Sequence, residues 1–221
     1  MFKQSVLVVA LCAVSFGAQA WGLPKLDSVT GGDKATSQSS GDVEKEVSDF
    51  TGKSSELAAV ANVSLVAINS AFDTEEQIAA KKAELSKIDA MTDAKEKGAA
   101  TAKLNESESA QAAKNLKSAD ADKKVKELSA DKQKKMGVAL LNFGIAALKA
   151  PGLISKGQSI ISATTLTNIA KVMPVKDAMP LLGRFVSDGG STIAGFMKIA
   201  KGANIAVPEV SASSSYAKVD L

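Results

Sequence analysis

Between Asp42 and Gly202, apolar residues recur at three- and four-residue intervals, the period of helices that bury one face. Asp42 is placed to cap a first helix carrying Val43, Val47 and Phe50, then Leu57, Val60 and Ile68, with Gly52 as its weak point. Asp73-Thr74-Glu75-Glu76 has the form of a capping box, so a second helix starts there with Ile78, Leu85, Ile88 and Met91 along one side. Beyond a break expected near Thr92-Asp93 or Gly98, the stripe thins to Leu104, Ala110, Ala113 and Leu116. That stretch reads either as a close-packed alanine seam or as a protruding hairpin with little core of its own.

A third helix fits residues 120–150. Its first half pairs acids with lysines one turn later (Asp120 with Lys124, Asp131 with Lys135), and residues 136–148 then carry no charge at all. Pro151-Gly152 is expected to stop it, because proline has no N–H for the helix ladder. A fourth helix follows over 153–173, ending before Pro174. Asp177 caps a short fifth helix that Asp188-Gly189-Gly190 breaks, and a last helix starts at Ser191. No run alternates with period two, and no repeat is visible. The pattern predicts an all-α, antiparallel helical bundle of about five to six helices spanning residues 42–202, with flexible N- and C-terminal segments.

The ends differ in kind. Residues 1–20 join an early Lys3 to the apolar run around Val6 to Val14 and finish in Ala18-Gln19-Ala20, which predicts a signal peptide cleaved after Ala20. Leu11 before Cys12 does not suit a lipid-attachment cysteine. Residues 21–41 are rich in Gly, Ser and Thr and read as a flexible leader, with Trp21 and Leu23 able to dock locally. Residues 203–221, with Pro208 and a serine run, read as an extended tail. The localisation expected is exported, periplasmic or extracellular.

Composition then narrows the chemistry. Cleavage after Ala20 would remove Cys12 and Lys3, leaving a chain without cysteine or histidine and with net charge +2 in place of +3. Such a chain has no disulfide, no Cys-His or Ser-His-Asp nucleophile system and no ordinary zinc or haem site. Arg184 is its single arginine, and arginine forks and exposed aromatics are what nucleic-acid platforms need, so no nucleic acid is expected as a partner. Gly52-Lys53-Ser54 lacks the earlier glycine of a phosphate loop, because Val47 stands there. Ser129-Ala130-Asp131-Lys132 and Ser215-Tyr216-Ala217-Lys218 match the S-x-x-K of serine acyl-enzymes without the partner motifs. The paired carboxylates Glu75/Glu76 and Glu106/Glu108 lie among lysines, as on a solvated face. No catalytic, cofactor-binding or metal-ligating residue is predicted, and no enzyme.

Charge is unevenly divided. Residues 21–135 hold eighteen lysines against twenty acids, whereas 136–202 hold six lysines and Arg184 against Asp177 and Asp188 alone. The most apolar part of the chain is therefore its basic part. In one reading, 136–201 is the buried heart of the bundle; thirteen uncharged residues rise only about 20 Å, short of a ~30 Å hydrocarbon core. In the other, 136–173 is an apolar hairpin that turns at Pro151-Gly152, packs through Gly137 and Gly144, and inserts into lipid. Leu140, Leu141, Phe143, Ile145 and Leu148 would then meet lipid or a partner, and Lys149, Lys156, Lys171 and Arg184 anionic headgroups. Arg184 alternatively snorkels over the core or pairs with Asp188. The sequence predicts a non-enzymatic exported protein acting by binding or scaffolding, through a protein partner or self-association. Membrane activity at an anionic surface, or carriage of an apolar ligand between helices, are the alternatives.

Overall fold

A computed structural model describes residues 40–221, apart from 166, 167, 212 and 220 and the side chains of Ser40 and Asp188. The expected signal peptide and nearly all of the expected leader, with Trp21 and Leu23, lie outside the described residues. Six helices follow in order: α1 (Ser40–Asn69), α2 (Glu75–Asp89), α3 (Ala94–Leu116), α4 (Ala121–Lys126), α5 (Ala130–Ser162) and α6 (Met173–Gly202), with a 3-10 turn at Ile169–Val172. No strand occurs among the described residues, and the chain is an all-α bundle.

The interfaces of α5 with α1 and with α6 are the largest, followed by that of α1 with α3. A Cβ on Gly157 of α5 would lie 2.9 Å from the Phe50 ring of α1 and 2.6 Å from the Met179 sulfur of α6, so the three helices meet where only a hydrogen fits. Farther along, Phe143 stacks at 4.8 Å on Phe185. Phe50, Phe143, Phe196, Leu65, Leu140 and Leu182 are the bulk of the closed core. These contacts set α5 antiparallel to both α1 and α6. By contrast α3 runs parallel to α1, because α2 carries the chain back between them.

Helix starts follow local chemistry. Thr74, one residue later than the motif suggested, caps α2: its hydroxyl accepts from the Gln77 N–H (3.3 Å) and the Gln77 side chain accepts from the Thr74 N–H (2.8 Å). Asp93 caps α3 by accepting from the Glu96 N–H, at the break expected near Thr92-Asp93. The helix expected over 120–150 is two: α4 ends at Lys126, and Ser129 caps α5 by accepting from the Lys132 N–H. The serine of the first S-x-x-K match is thus a helix cap.

Two expected stops are absent. Pro151 lies inside α5, and Gly189-Gly190 lie inside α6. The hairpin with its turn at Pro151-Gly152 is therefore replaced by one helix of 33 residues, and the chain turns after Ser162. The apolar stripe runs through the proline in unbroken phase, from Met136 and Leu140 by Phe143, Ala146 and Ala150 to Gly157 and Ile160, all buried. Pro151 itself is exposed, so its ring meets solvent while both flanks stay clamped. In α6 a Cβ on Gly189 would approach the Phe143 ring to 3.2 Å, which makes that glycine a packing residue. Proline still leaves the Ala147 carbonyl without its ladder N–H. Pro151→Ala should consequently stabilise the fold by about 1–2 kcal/mol, the restored bond outweighing the looser unfolded chain. Urea unfolding checks this, since a helix ending at residue 150 would show no gain.

The tail from residue 203 is irregular, as expected, but it is docked rather than loose. It lies along α5: Ile205 is buried, and Val207, Tyr216, Val219 and Leu221 pack on the core. The notch that receives it comes from glycines, since a Cβ on Gly137 would sit 2.5 Å from the Ala206 carbonyl oxygen and one on Gly144 2.9 Å from Val210. Asn204 turns the chain into the notch with φ 56°. A polar composition misreads this segment because backbone contacts in the notch add to the few apolar side chains that pack.

Candidate functional site

The residues expected at a lipid or partner contact divide into two sets. Leu140, Phe143 and Ile145 are fully buried, Leu141 is half-buried, and Leu148 is exposed. The cations are tied to acids from the first half of the chain or to the tail. Lys156 bonds Asp49, which also takes Lys53 at 3.1 Å. Lys171 meets Glu44 at 2.6 Å, and Arg184 meets Glu106 at 3.2 Å on a solvated face. The Asp188 side chain lies outside the described residues. Lys149 sits 4.5 Å over the Tyr216 ring and donates to the Ser214 carbonyl. The charge division of the sequence is thus answered within the chain. Lys156 and then Lys53 hold the Asp49 carboxyl below the usual carboxylate range by donating to it.

Between α1 and α3 runs a buried polar seam that residue-type scanning missed. Asn62 donates to the Thr101 carbonyl (2.9 Å) and accepts from the Asn105 amide (2.8 Å). Two turns on, Asn69 donates to both the carbonyl and the carboxylate of Glu108 (2.9 and 2.7 Å) and accepts from Asn115 (3.0 Å). Lys81 of α2 then joins Glu108 (2.9 Å) to Asp73 (2.7 Å). Burial alone would lower the Lys81 pKa, but the hydrogen bonds it donates to Asp73 and Glu108 and their negative fields outweigh it, and the pKa is raised. A sequence signal existed: Asn62 and Asn69 stand seven apart inside an apolar stripe. Every polar group of the seam faces another, so it sets the register of α1 on α3 and exposes no reactive group.

A cleft of about 240 Å³ opens beside the seam, between α1, the α2–α3 elbow and the tail. Its walls are Val60 and Val63, Leu85 and Ile88, and Tyr216 and Val219. Asn142, at its base, is buried and clamps the tail: its amide donates to the Ala217 carbonyl (2.6 Å) and its oxygen accepts from the Ala217 N–H (2.8 Å). Burial, then the nearby Glu56 charge, pushes the Tyr216 hydroxyl pKa up. Among the described residues no group of three acids, histidines or cysteines could hold a metal ion. No family model, curated protein or solved structure matches this chain.

Proposed function

We propose that the protein is a non-enzymatic, exported protein that works by binding or scaffolding, with the outer surface of α2 and α3 as its contact face. The observation that carries this reading is how the apolar segment is spent. Residues 136–162 serve the core, and three of the four candidate cations hold acids of α1 or α3, while the fourth holds the tail. Among the surfaces left free to engage a partner are α2, which buries only Ile78 and Ile88, and the outer side of α3 at Lys103 and Lys114. The chain from Trp21 should retain a partner from the envelope fraction of the producing cell, and reversing Lys82, Lys87, Lys103 and Lys114 to glutamate should release it. Equal retention by the reversed variant would remove this face from the proposal.

A second reading has support of its own. Among the described residues, α5 is the one helix long and apolar enough to cross a membrane, although half of its apolar window is buried. Leu148, Ile169, Met173 and Val186 are large apolar residues left exposed. Membrane activity predicts co-sedimentation with anionic vesicles and dye leakage at low salt. No sedimentation there would eliminate it.

A further inference from the structure

We propose that the cleft between α1, the α2–α3 elbow and the C-terminal tail is a binding site for a small, neutral, largely apolar molecule carrying one or two hydrogen-bond acceptors. The site is distinct from the α2–α3 contact face and does not depend on it. Size comes first. About 240 Å³ is too little for a helix and holds roughly eight waters at ~30 Å³ each. Water there would face mostly aliphatic and aromatic walls and would make few hydrogen bonds, so an apolar body displaces it favourably.

Polar chemistry narrows the ligand further. The amides lining the cleft are already engaged, Asn62 with Thr101 and Asn105, Asn142 with Ala217. Ser55, Thr101 and Tyr216 are different: these residues line the cleft, and their hydroxyls have no hydrogen-bond partner among the described residues. They supply donors for an acceptor on the ligand. Charge is cancelled at the rim, where Lys97 lies 3.9 Å from Asp89 and donates to its carbonyl at 3.1 Å. An anionic head would meet Asp89 and Glu56, and a cationic one Lys97, so a neutral ligand is favoured. Tyr216 and Val219 make the tail one wall, and ligand contact with them holds the tail in place.

The test uses the chain from Trp21 and the neutral fluorophore N-phenyl-1-naphthylamine. Saturable fluorescence enhancement with one probe per chain is expected. Ala59 is exposed yet lines the cleft, so Ala59→Trp fills it without touching the core and should weaken binding at least tenfold. Ala79→Trp, on the exposed side of α2, should leave binding unchanged. The sulfonated relative 1-anilinonaphthalene-8-sulfonate should bind at least tenfold more weakly than the neutral probe. Unsaturable binding, or equal binding by wild type and Ala59→Trp with helicity intact, overturns the site. Equal or tighter binding of the sulfonate overturns the assigned neutrality.

Discussion

Lys81→Met should cost about 3–5 kcal/mol of folding stability, the range for stripping one partner from a buried ion pair. Glu108 keeps only 4% of its side chain exposed and Asp73 only 6%, so neither carboxylate can turn to water once the ammonium is gone. Asn69 still donates to Glu108, yet one neutral amide cannot replace a cation shared by two acids. Urea unfolding at pH 7 measures the loss, and a change below about 1 kcal/mol would show that the cluster is solvated. The pH dependence has a definite sign. Because the Lys81 pKa is raised on folding, the native state holds that proton more tightly than the unfolded chain does. Its contribution is therefore complete below the ordinary lysine pKa of about 10.4 and disappears as pH climbs through the higher folded value. The gap between wild type and Lys81→Met should stay level through neutrality and narrow above about pH 10.4.

Asn142→Leu should unfasten the tail. The substitution keeps the volume while removing both bonds to Ala217, so that residue's N–H and C=O turn to water. A loss of about 1–3 kcal/mol follows from two lost hydrogen bonds at about 0.5–1.5 kcal/mol each. The location of the effect is more telling than its size. Amide exchange at Ala217 should approach the free-chain rate, and proteases should cut between residues 205 and 221 while α1, α5 and α6 stay protected. Gly137→Val should do the same from the other end, because its Cβ would lie against the Ala206 carbonyl. A tail equally protected in both variants would mean that its apolar residues alone hold it.

These two sites also mark the limit of what the residue pattern disclosed. Helix period, the break at Thr92-Asp93 and the burial of Leu140 and Phe143 were legible, because each depends on spacing or on one residue's own chemistry. Pro151 and Gly189-Gly190 misled for a related reason. Their local penalties, about 3 and 1 kcal/mol, are written in the residue itself, whereas the packing that overrides them depends on Phe50, Met179 and Phe143 arriving from elsewhere. An apolar stripe that keeps its phase across such residues is the better guide. The seam was hidden because asparagine is ordinarily a surface or turn residue; only the seven-residue spacing of Asn62 and Asn69 hinted at a shared face. The tail was hidden more completely. Besides its own apolar residues its docking needs a glycine notch and one amide in α5, and nothing within 203–221 encodes those partners. The cleft inherits that difficulty, since its walls come from three separate stretches of chain.

The partnership of α1 with α5 has a consequence for how the molecule comes into being. Asp49 and Lys156 are 107 positions apart, and Phe50 meets Gly157 at the same level. A polypeptide emerging from its N-terminus must therefore wait, with Phe50, Leu57 and Leu65 uncovered, until the far side of α5 has been delivered. Closing so wide a loop is slow, and only the shorter closure of α3 onto α1 rewards the chain on the way. Such a chain remains threadable for most of its synthesis and then condenses late, with α5 as the keystone.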